Sequence, residues 1–318
     1  MRQKGLALVL VLWVLSLLTI MAGSFALSMR RETSIIEGVR NNAQAMAIAE
    51  SGLAIAEMML LNPDQDKRWR ADGNIYQVDF INAKVRLRVL SETGKIDINK
   101  ADQTLLQGMM SQAPVDAEQQ TKIINAILDW RDQDDLVHIN GAEKKEYQEA
   151  GLNYQPRNKP FQSVEELQLI LGIDASVFEE IEDLITIYSG QQQVDLRYAA
   201  KEVLQVIPEL DAELVDTYIT ERLESAKNGL PAPVFPASSG QGNTSAGQNN
   251  AFTVISEAML NDNSSAALSA VIKQSDETLA SPFQVLEWRQ ITGNNASLFT
   301  DGMSALLVKQ YAEFEFNN

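Results

Sequence analysis

The opening segment of this sequence decides what the rest of the chain can do. Between Leu6 and Met29 lie 24 residues without a charge, rich in Leu and Val, with Arg2 and Lys4 before them and Arg30 and Arg31 after. At ~1.5 Å per helical residue such a run reaches across a hydrocarbon layer of ~30 Å. A cleaved secretory signal has a shorter apolar core, ~7–15 residues. The flanking basic residues nearly balance and set no firm orientation. The helical pattern also continues past the apolar run. Ile35, Ile36, Val39, Ala43, Met46, Ala49, Leu53 and Met58 recur at helical spacing until Asn62-Pro63 stops them. One helix of roughly 55 residues is too long for an ordinary globular core. Half in a membrane and half out, it works as a spine. A plain membrane anchor is the simpler reading of the same residues.

Composition narrows the chemistry. The chain has 318 residues, 43 acidic against 26 basic, a formal charge of −17. Such a balance suits cations and basic partners and disfavours phosphate neutralisation, which needs clustered Lys and Arg. There is no Cys and one His, His138. That excludes thiol chemistry and multi-His metal sites, and a lone His in an acidic loop reads as solvent-facing. Adjacent acids such as Glu165-Glu166 and Glu179-Glu180 lie on helices and imply no shared catalytic pocket.

Alternation over residues 74–92 predicts two strands joined near Asn82. From Thr93-Gly94 to about Lys227 the pattern is helical and contains a repeat. Ile96-Asp97-Ile98-x-x-Ala101 matches Val194-Asp195-Leu196-x-x-Ala199, and Leu106 and Met109 match Leu204 and Ile207. Pro160-Phe161-Gln162-Ser163 predicts a further helix start, with Ser163 and Glu166 as a capping box. Asn228 to Ser256 carries no charge and is rich in small polar residues, a linker composition. Three short strands follow, at Phe252–Leu260, Ala267–Lys273 and Phe283–Trp288. Asn294–Asn318 fits helix or strand.

The segment from Asp129 to Asn158 carries the best candidate chemistry. It reads Asp129-Trp130-Arg131-Asp132-Gln133-Asp134-Asp135, then Gly141-Ala142-Glu143, and reaches Asn158. Asp132, Asp134 and Glu143, with Asp129, Asp135 and Asn158 behind them, offer several hard oxygens, as calcium requires. The spacing is not that of an EF-hand. A solvated acidic loop accounts for the same residues.

The basic leader ending at Gly5, the apolar helix from Leu6 and the extension with Ala49-Glu50-Ser51-Gly52-Leu53 together resemble type IV pilins and pseudopilins. The resemblance implies prepilin peptidase cleavage between Gly5 and Leu6. Most of that family carry Glu at the fifth mature position, where this chain has Leu10. The missing Glu, the large body and the segments "KIDINKAD" and "PFQSVEEL" resemble the K-type minor pseudopilins of type II secretion, the general secretion pathway protein K family. That implies an α+β fold, a transmembrane spine helix with a pilin-like antiparallel sheet interrupted by a large inserted α-helical, helix-hairpin-helix-like domain. The implied boundaries are a leader at 1–5, a transmembrane helix at 6–29, a pilin-like helix and first strands at 30–93, an insert at 94–230, a linker at 231–250 and remaining strands at 251–318. It also implies bound calcium, I-type, J-type and major pseudopilin partners, a single inner-membrane span with a periplasmic body, and a structural role at the pseudopilus tip rather than an enzymatic one. The runner-up is a membrane-anchored DNA-binding protein. Its hairpins would read Gly108-Met109-Met110, Gly172-Ile173-Asp174 and Ile207-Pro208-Glu209, and residues 165–224 hold 15 acids against three bases.

Overall fold

A computed structural model describes residues 4–236, 250–275, 281–292 and 297–312. Helix α1 (Lys4–Leu60) runs unbroken for 57 residues, about 85 Å at the usual rise. Its N-terminal half is exposed along its described side chains, with Leu10, Trp13 and Phe25 each at least 60% exposed. It is the one helix among the described residues long and apolar enough to cross a membrane. Its C-terminal half lies on a six-stranded sheet built from β1 (Asp72–Asp79), β2 (Ala83–Ser91), β5 (Ala251–Leu260), β6 (Ser265–Gln274), β7 (Phe283–Ile291) and β8 (Leu307–Ala312). The order across the sheet is β7-β6-β5-β2-β1-β8.

Small side chains permit that contact. Ala45, Ala49 and Ala56 are fully buried. Between them, a Cβ on Gly52 would lie 2.9 Å from Val85 Cγ1 and closer still to Ser256 Oγ. Ser256, fully buried on β5, donates its hydroxyl to the Ala49 carbonyl at 2.8 Å. At Gly52 the helix backbone therefore rests directly on the side chains of the sheet.

The sheet is mixed, which corrects the antiparallel expectation. β1 to β2, β2 to β5, β5 to β6 and β6 to β7 are antiparallel, but β8 pairs with β1 in parallel, from Ile75↔Leu307 to Asp79↔Ala312. The C-terminal stretch that fitted either class holds both, a short helix α8 (Asp301–Ala305) and then β8.

Between β2 and β5 lies a helical body with its own apolar core. It contains β3 (Ile96–Asp97), α2 (Gln103–Met110), α3 (Ala117–Arg131), α4 (Lys144–Glu149), α5 (Ala175–Ile181), β4 (Ile185–Thr186), α6 (Lys201–Val206) and α7 (Ala212–Lys227). The sequence repeat is a structural one. Asp97 Oδ1 accepts from Asn99 N at 2.9 Å, and Asp195 Oδ1 from Arg197 N at 3.1 Å. Each turn leads into a helix pair, α2 with α3 and α6 with α7. At the Pro160 segment, residues 164–169 form a 3₁₀ turn, and Ser163 makes no side-chain cap. Glu166 pairs instead with Arg157, so the expected capping box is absent there. A capping box does form at Glu143 and Glu146, at the start of α4.

Direction along α1 gives the molecule two ends. Ala45 packs with Ala83, Leu260 and Ala266, at the β1–β2 and β5–β6 turns. Met59 packs further along with Trp69. The helical body departs after Ser91 and returns at Phe252, which pair with one another. It therefore sits at the end of the sheet away from the apolar half of α1. Most of the expected linker falls on residues 237–249, outside the described residues. Phe235 just before them is fully buried against Tyr218, with ring centroids 4.7 Å apart.

Gly52→Leu should lower the stability of the full-length protein by about 1–3 kcal/mol through overpacking. Gly38→Leu, on the same helix with nothing within 4 Å of an added Cβ, should leave it nearly unchanged. Chemical denaturation in detergent compares the two, and equal midpoints would contradict the close helix–sheet contact.

Candidate metal centre

Helix α3 ends where its last turn meets a run of acids. Trp130 is buried and packs against Tyr147 and Phe161, with ring centroids 5.9 and 6.3 Å away. That packing fixes the helix end, so the residues just after it emerge from a rigid frame. Asp129 is fully buried. Its Oδ1 accepts from the His138 backbone N at 3.0 Å and contacts the His138 ring, and its Oδ2 accepts from Ala142 N at 2.7 Å. A Cβ on Gly141 would lie 2.9 Å from the Asp129 carboxyl carbon, so only Gly lets the loop close this tightly. Asn125 Nδ2 adds a bond to the Ile139 carbonyl at 2.8 Å. Asp129 thus clamps the loop and has little capacity left for an ion.

The neighbouring oxygens are the reverse. Asp132 Oδ1, Glu143 Oε1 and Asn158 Oδ1 are buried and have no hydrogen-bond partner. Seven side-chain atoms are in that state among the described residues, and three of them are acceptors on this one segment. Unpaired buried acceptors are costly unless a proton or a cation satisfies them. Asp134 and Asp135 complete the group at its exposed rim. Asn158 Nδ2 donates to the Asp134 carbonyl and to Asp135 Oδ1, both at 2.8 Å, while Asp134 Oδ1 accepts from Leu136 N at 2.9 Å. The charges of Asp129, Asp132 and Asp135 act on Glu143, that of Asp134 acts on Asp132, and Asn158 bonds Asp135.

The electrostatics agree with a cation site. Burial pushes the Glu143 carboxyl up to about 7, helped by the charges of Asp129, Asp132 and Asp135. Burial, then Asp134 and Asp129, raises Asp132. Asp129, Asp132 and His138 each offer a ligand atom within 4.8 Å of the others. His138 is exposed, as its place in an acidic loop suggested, and one edge of its ring also contacts the buried Asp129. Its ring is a poor ligand for a hard cation, and the three unpaired oxygens describe such a site better. The set fits an oxygen-bound divalent cation with Asp132, Glu143 and Asn158 as holders and Asp129 as the loop clamp. Sequence spacing gave no sign of His138 or Asn125, because both act through backbone positions the fold creates.

The three hairpins expected to hold phosphate do not suit it. Asp102, Asp116, Asp174 and Asp211 cap α2, α3, α5 and α7 with their carboxylates, occupying the helix N-termini that an anion would need. Gly108 is packed against the Val206 carbonyl and Pro208.

Comparisons with known proteins agree with this architecture. A family model described as "Type II secretion system (T2SS), protein K" matches residues 83–190. Proteins named type II secretion system protein K align from Klebsiella pneumoniae at 27% identity, over 57% of this chain and 61% of that one, and from Aeromonas hydrophila at 25%, over 57% and 62%. The aligned part spans about three fifths of those relatives. A chain in the crystal structure of the GspK-GspI-GspJ complex from the enterotoxigenic Escherichia coli type 2 secretion system superposes with a TM-score of 0.52 at 14% identity, covering 83% of this chain and 99% of that one. At that identity the likeness is one of fold.

In excess chelator, raising the pH from 5.5 to 8 should lower the melting temperature. The folded Glu143 pKa lies above its unfolded value, so ionising it destabilises the fold progressively as pH rises through that interval. Glu143→Gln cannot ionise and should show a shallower decline. Equal slopes would remove the like-charge burial argument.

Proposed function

We propose that this chain, which belongs to the type II secretion system protein K family, is a structural minor pseudopilin that caps or initiates the pseudopilus. The observation that carries the reading is the position of the helical body. It crowns the end of the sheet opposite the apolar half of α1, where a following subunit of a helical filament would otherwise stack. α1 is the membrane anchor before assembly and the packing spine after it. Cleavage by prepilin peptidase falls between Gly5 and Leu6, and removes the basic leader. Leu10 replaces the carboxylate that would pair with a neighbour's terminal amine, a pairing that makes a buried charge tolerable in apolar surroundings. A subunit without it suits a filament end better than the shaft. The anchor lies in the inner membrane and the body in the periplasm. The partners are the I-type and J-type minor pseudopilins, then the major pseudopilin. No part of this role requires catalysis.

Calcium is the cation that suits the centre. It takes six to eight oxygen ligands in flexible geometry, including carboxylates and amide oxygens, and the chain presents both. Asp132, Glu143 and Asn158 would hold it, with Asp134 and Asp135 adding negative charge at the rim. Bound there, the ion relieves the repulsion among these acids and ties the end of α3 to the start of α4 and to Asn158.

Two experiments follow. Co-expression of the full chain with its I-type and J-type counterparts and the peptidase should yield a co-purifying complex in which N-terminal sequencing of this chain starts at Leu6. A start elsewhere removes the processing assignment, and a chain that purifies alone removes the capping one. Thermal melts should show a higher melting temperature in calcium than in chelator, by mass action on the folded state. Asp132→Asn should lose most of that gain and the exposed Glu180→Gln little of it. Full replacement of calcium by magnesium would instead indicate general screening, because magnesium demands a tighter octahedral site.

A further inference from the structure

Around one cavity of this acidic chain, basic residues outnumber acidic ones. A cavity of about 500 Å³ lies between the segment following α1, the end of α7 and strand β8. Among the described lining residues Lys67, Arg68, Arg70, Lys227 and Lys309 face a single carboxylate, Asp66. That reverses the balance of a chain in which acids outnumber bases 43 to 26.

The cations are held mainly by neutral groups. Arg68 Nε donates to the Asn62 carbonyl at 2.8 Å. Arg70 donates to Ser225 Oγ at 3.0 Å and to the Leu230 carbonyl. Lys227 Nζ reaches the Ala305 carbonyl at 3.3 Å, and Lys309 Nζ lies 5.0 Å from the Tyr311 ring centroid. Only Lys67 meets a carboxylate within 4 Å among the described residues, Asp64 at 3.8 Å, with both side chains largely exposed; such a pair is worth little. Asp72 lies in the field of Arg70 but is shared with the buried Arg222. Neutral acceptors position a cation and leave its charge available. Lys227 also complements the C-terminal end of α7, which is a sufficient structural reason for that residue alone.

The frame behind them is rigid. Trp69 stacks on Tyr76 with ring centroids 4.2 Å apart and planes 2° from parallel, and Trp69 Nε1 donates to Tyr311 Oη at 3.3 Å. Tyr76 Oη accepts from Arg70 N at 2.8 Å. All three rings are buried, so they fix the backbone that carries Lys67, Arg68 and Lys309.

We propose that this cavity binds a carboxylate-bearing segment of another polypeptide. Its volume lies in the range of ordinary ligand pockets. The cations come from three separate segments and line a broad basin, which matches several spaced carboxylates better than one compact anion. The basin adjoins the end of α1 remote from the apolar run, away from a lipid surface. This inference does not rest on the filament reading.

The test uses the full chain in detergent and a fluorescein-labelled hexaglutamate peptide followed by anisotropy. Binding should appear at 50 mM NaCl and weaken about tenfold or more at 300 mM, as screening of exposed charges requires. Lys67→Glu with Lys309→Glu, both exposed, should weaken it at least tenfold, and the milder double Gln variant should weaken it less. Lys144→Glu with Lys145→Glu on α4 makes the same charge change elsewhere and should leave binding intact. No binding at low salt, or equal loss in the two double Glu variants, overturns the proposal. So does full displacement by 10 mM inorganic phosphate, which would make the cavity a phosphate site. Truncation after Ala312 removes the chain's own Glu313 and Glu315 and should leave the affinity unchanged. Binding that appears only after truncation would assign the basin to that tail instead.

Discussion

Nine backbone pairs between β2 and β5, from Ala83↔Leu260 to Ser91↔Phe252, are the constraint on which the other features depend. They join two segments separated by the whole helical body. Loop-closure entropy grows only slowly with length, by about 0.6 kcal/mol per doubling, so a long insertion is tolerable if its ends meet. Here they meet because the inserted segment has its own core, from Ile98 through Trp130 to Leu204. The junction is secured by one buried acid. Glu92 is paired with Lys95 Nζ at 2.9 Å and accepts from the hydroxyls of Thr186 and Thr253. It thereby links β2's exit, β4 and β5's entry. A second clamp is Arg222, buried on α7, which donates to the Ala199 carbonyl at 2.8 Å and the Asp72 carbonyl at 2.9 Å. Few polar groups therefore fix the helical body on the sheet.

The excess of acid divides into two structural uses. Asp102, Asp116, Asp174 and Asp211 each satisfy amides at a helix N-terminus, where negative charge is favoured. Asp129, Asp132, Glu143 and their neighbours do the opposite and crowd together, and the carboxyls of Asp132 and Glu143 are held above their ordinary range. The first group stabilises the fold without help. The second needs a proton or an ion. A chain with this much acid can thus be soundly folded and still carry one locally unfavourable region, and that region marks the candidate site.

Much of this was legible from residues alone. The long helix announced itself by an uncharged run and unbroken periodicity to Asn62-Pro63, and the repeat around Asp97 and Asp195 marked two turns that fold alike. The crowding of acids was visible as oxygen-bearing residues gathered on one segment. What escaped the sequence depended on contacts between distant segments. β8 reads as helix or strand because six residues carry little pattern, and its parallel pairing is decided by β1. Ser163 and Glu166 have the spacing of a capping box, but Arg157 offers Glu166 a charged partner, and the backbone takes a 3₁₀ turn. His138 gave no signal, since its role is set by the turn that Gly141 allows around Asp129. Arg222 read as one of three bases in an acidic stretch, and burial made it a clamp.

The parallel strand has a geometrical outcome of its own. An antiparallel last strand would have returned the chain toward the helical body. Because β8 follows β1 from Ile75 to Asp79, Ala312 leaves the sheet beside the β1–β2 turn, where Ile81 is 90% exposed and where Ala45 of the spine enters the sheet. A probe placed at Ala312 would thus sit at the end of the sheet where the spine enters, opposite the end at Ser91 and Phe252 where the helical body attaches. A reporter attached there would sample the flank next to the spine, and one carried by the helical body would sample the far end of the sheet.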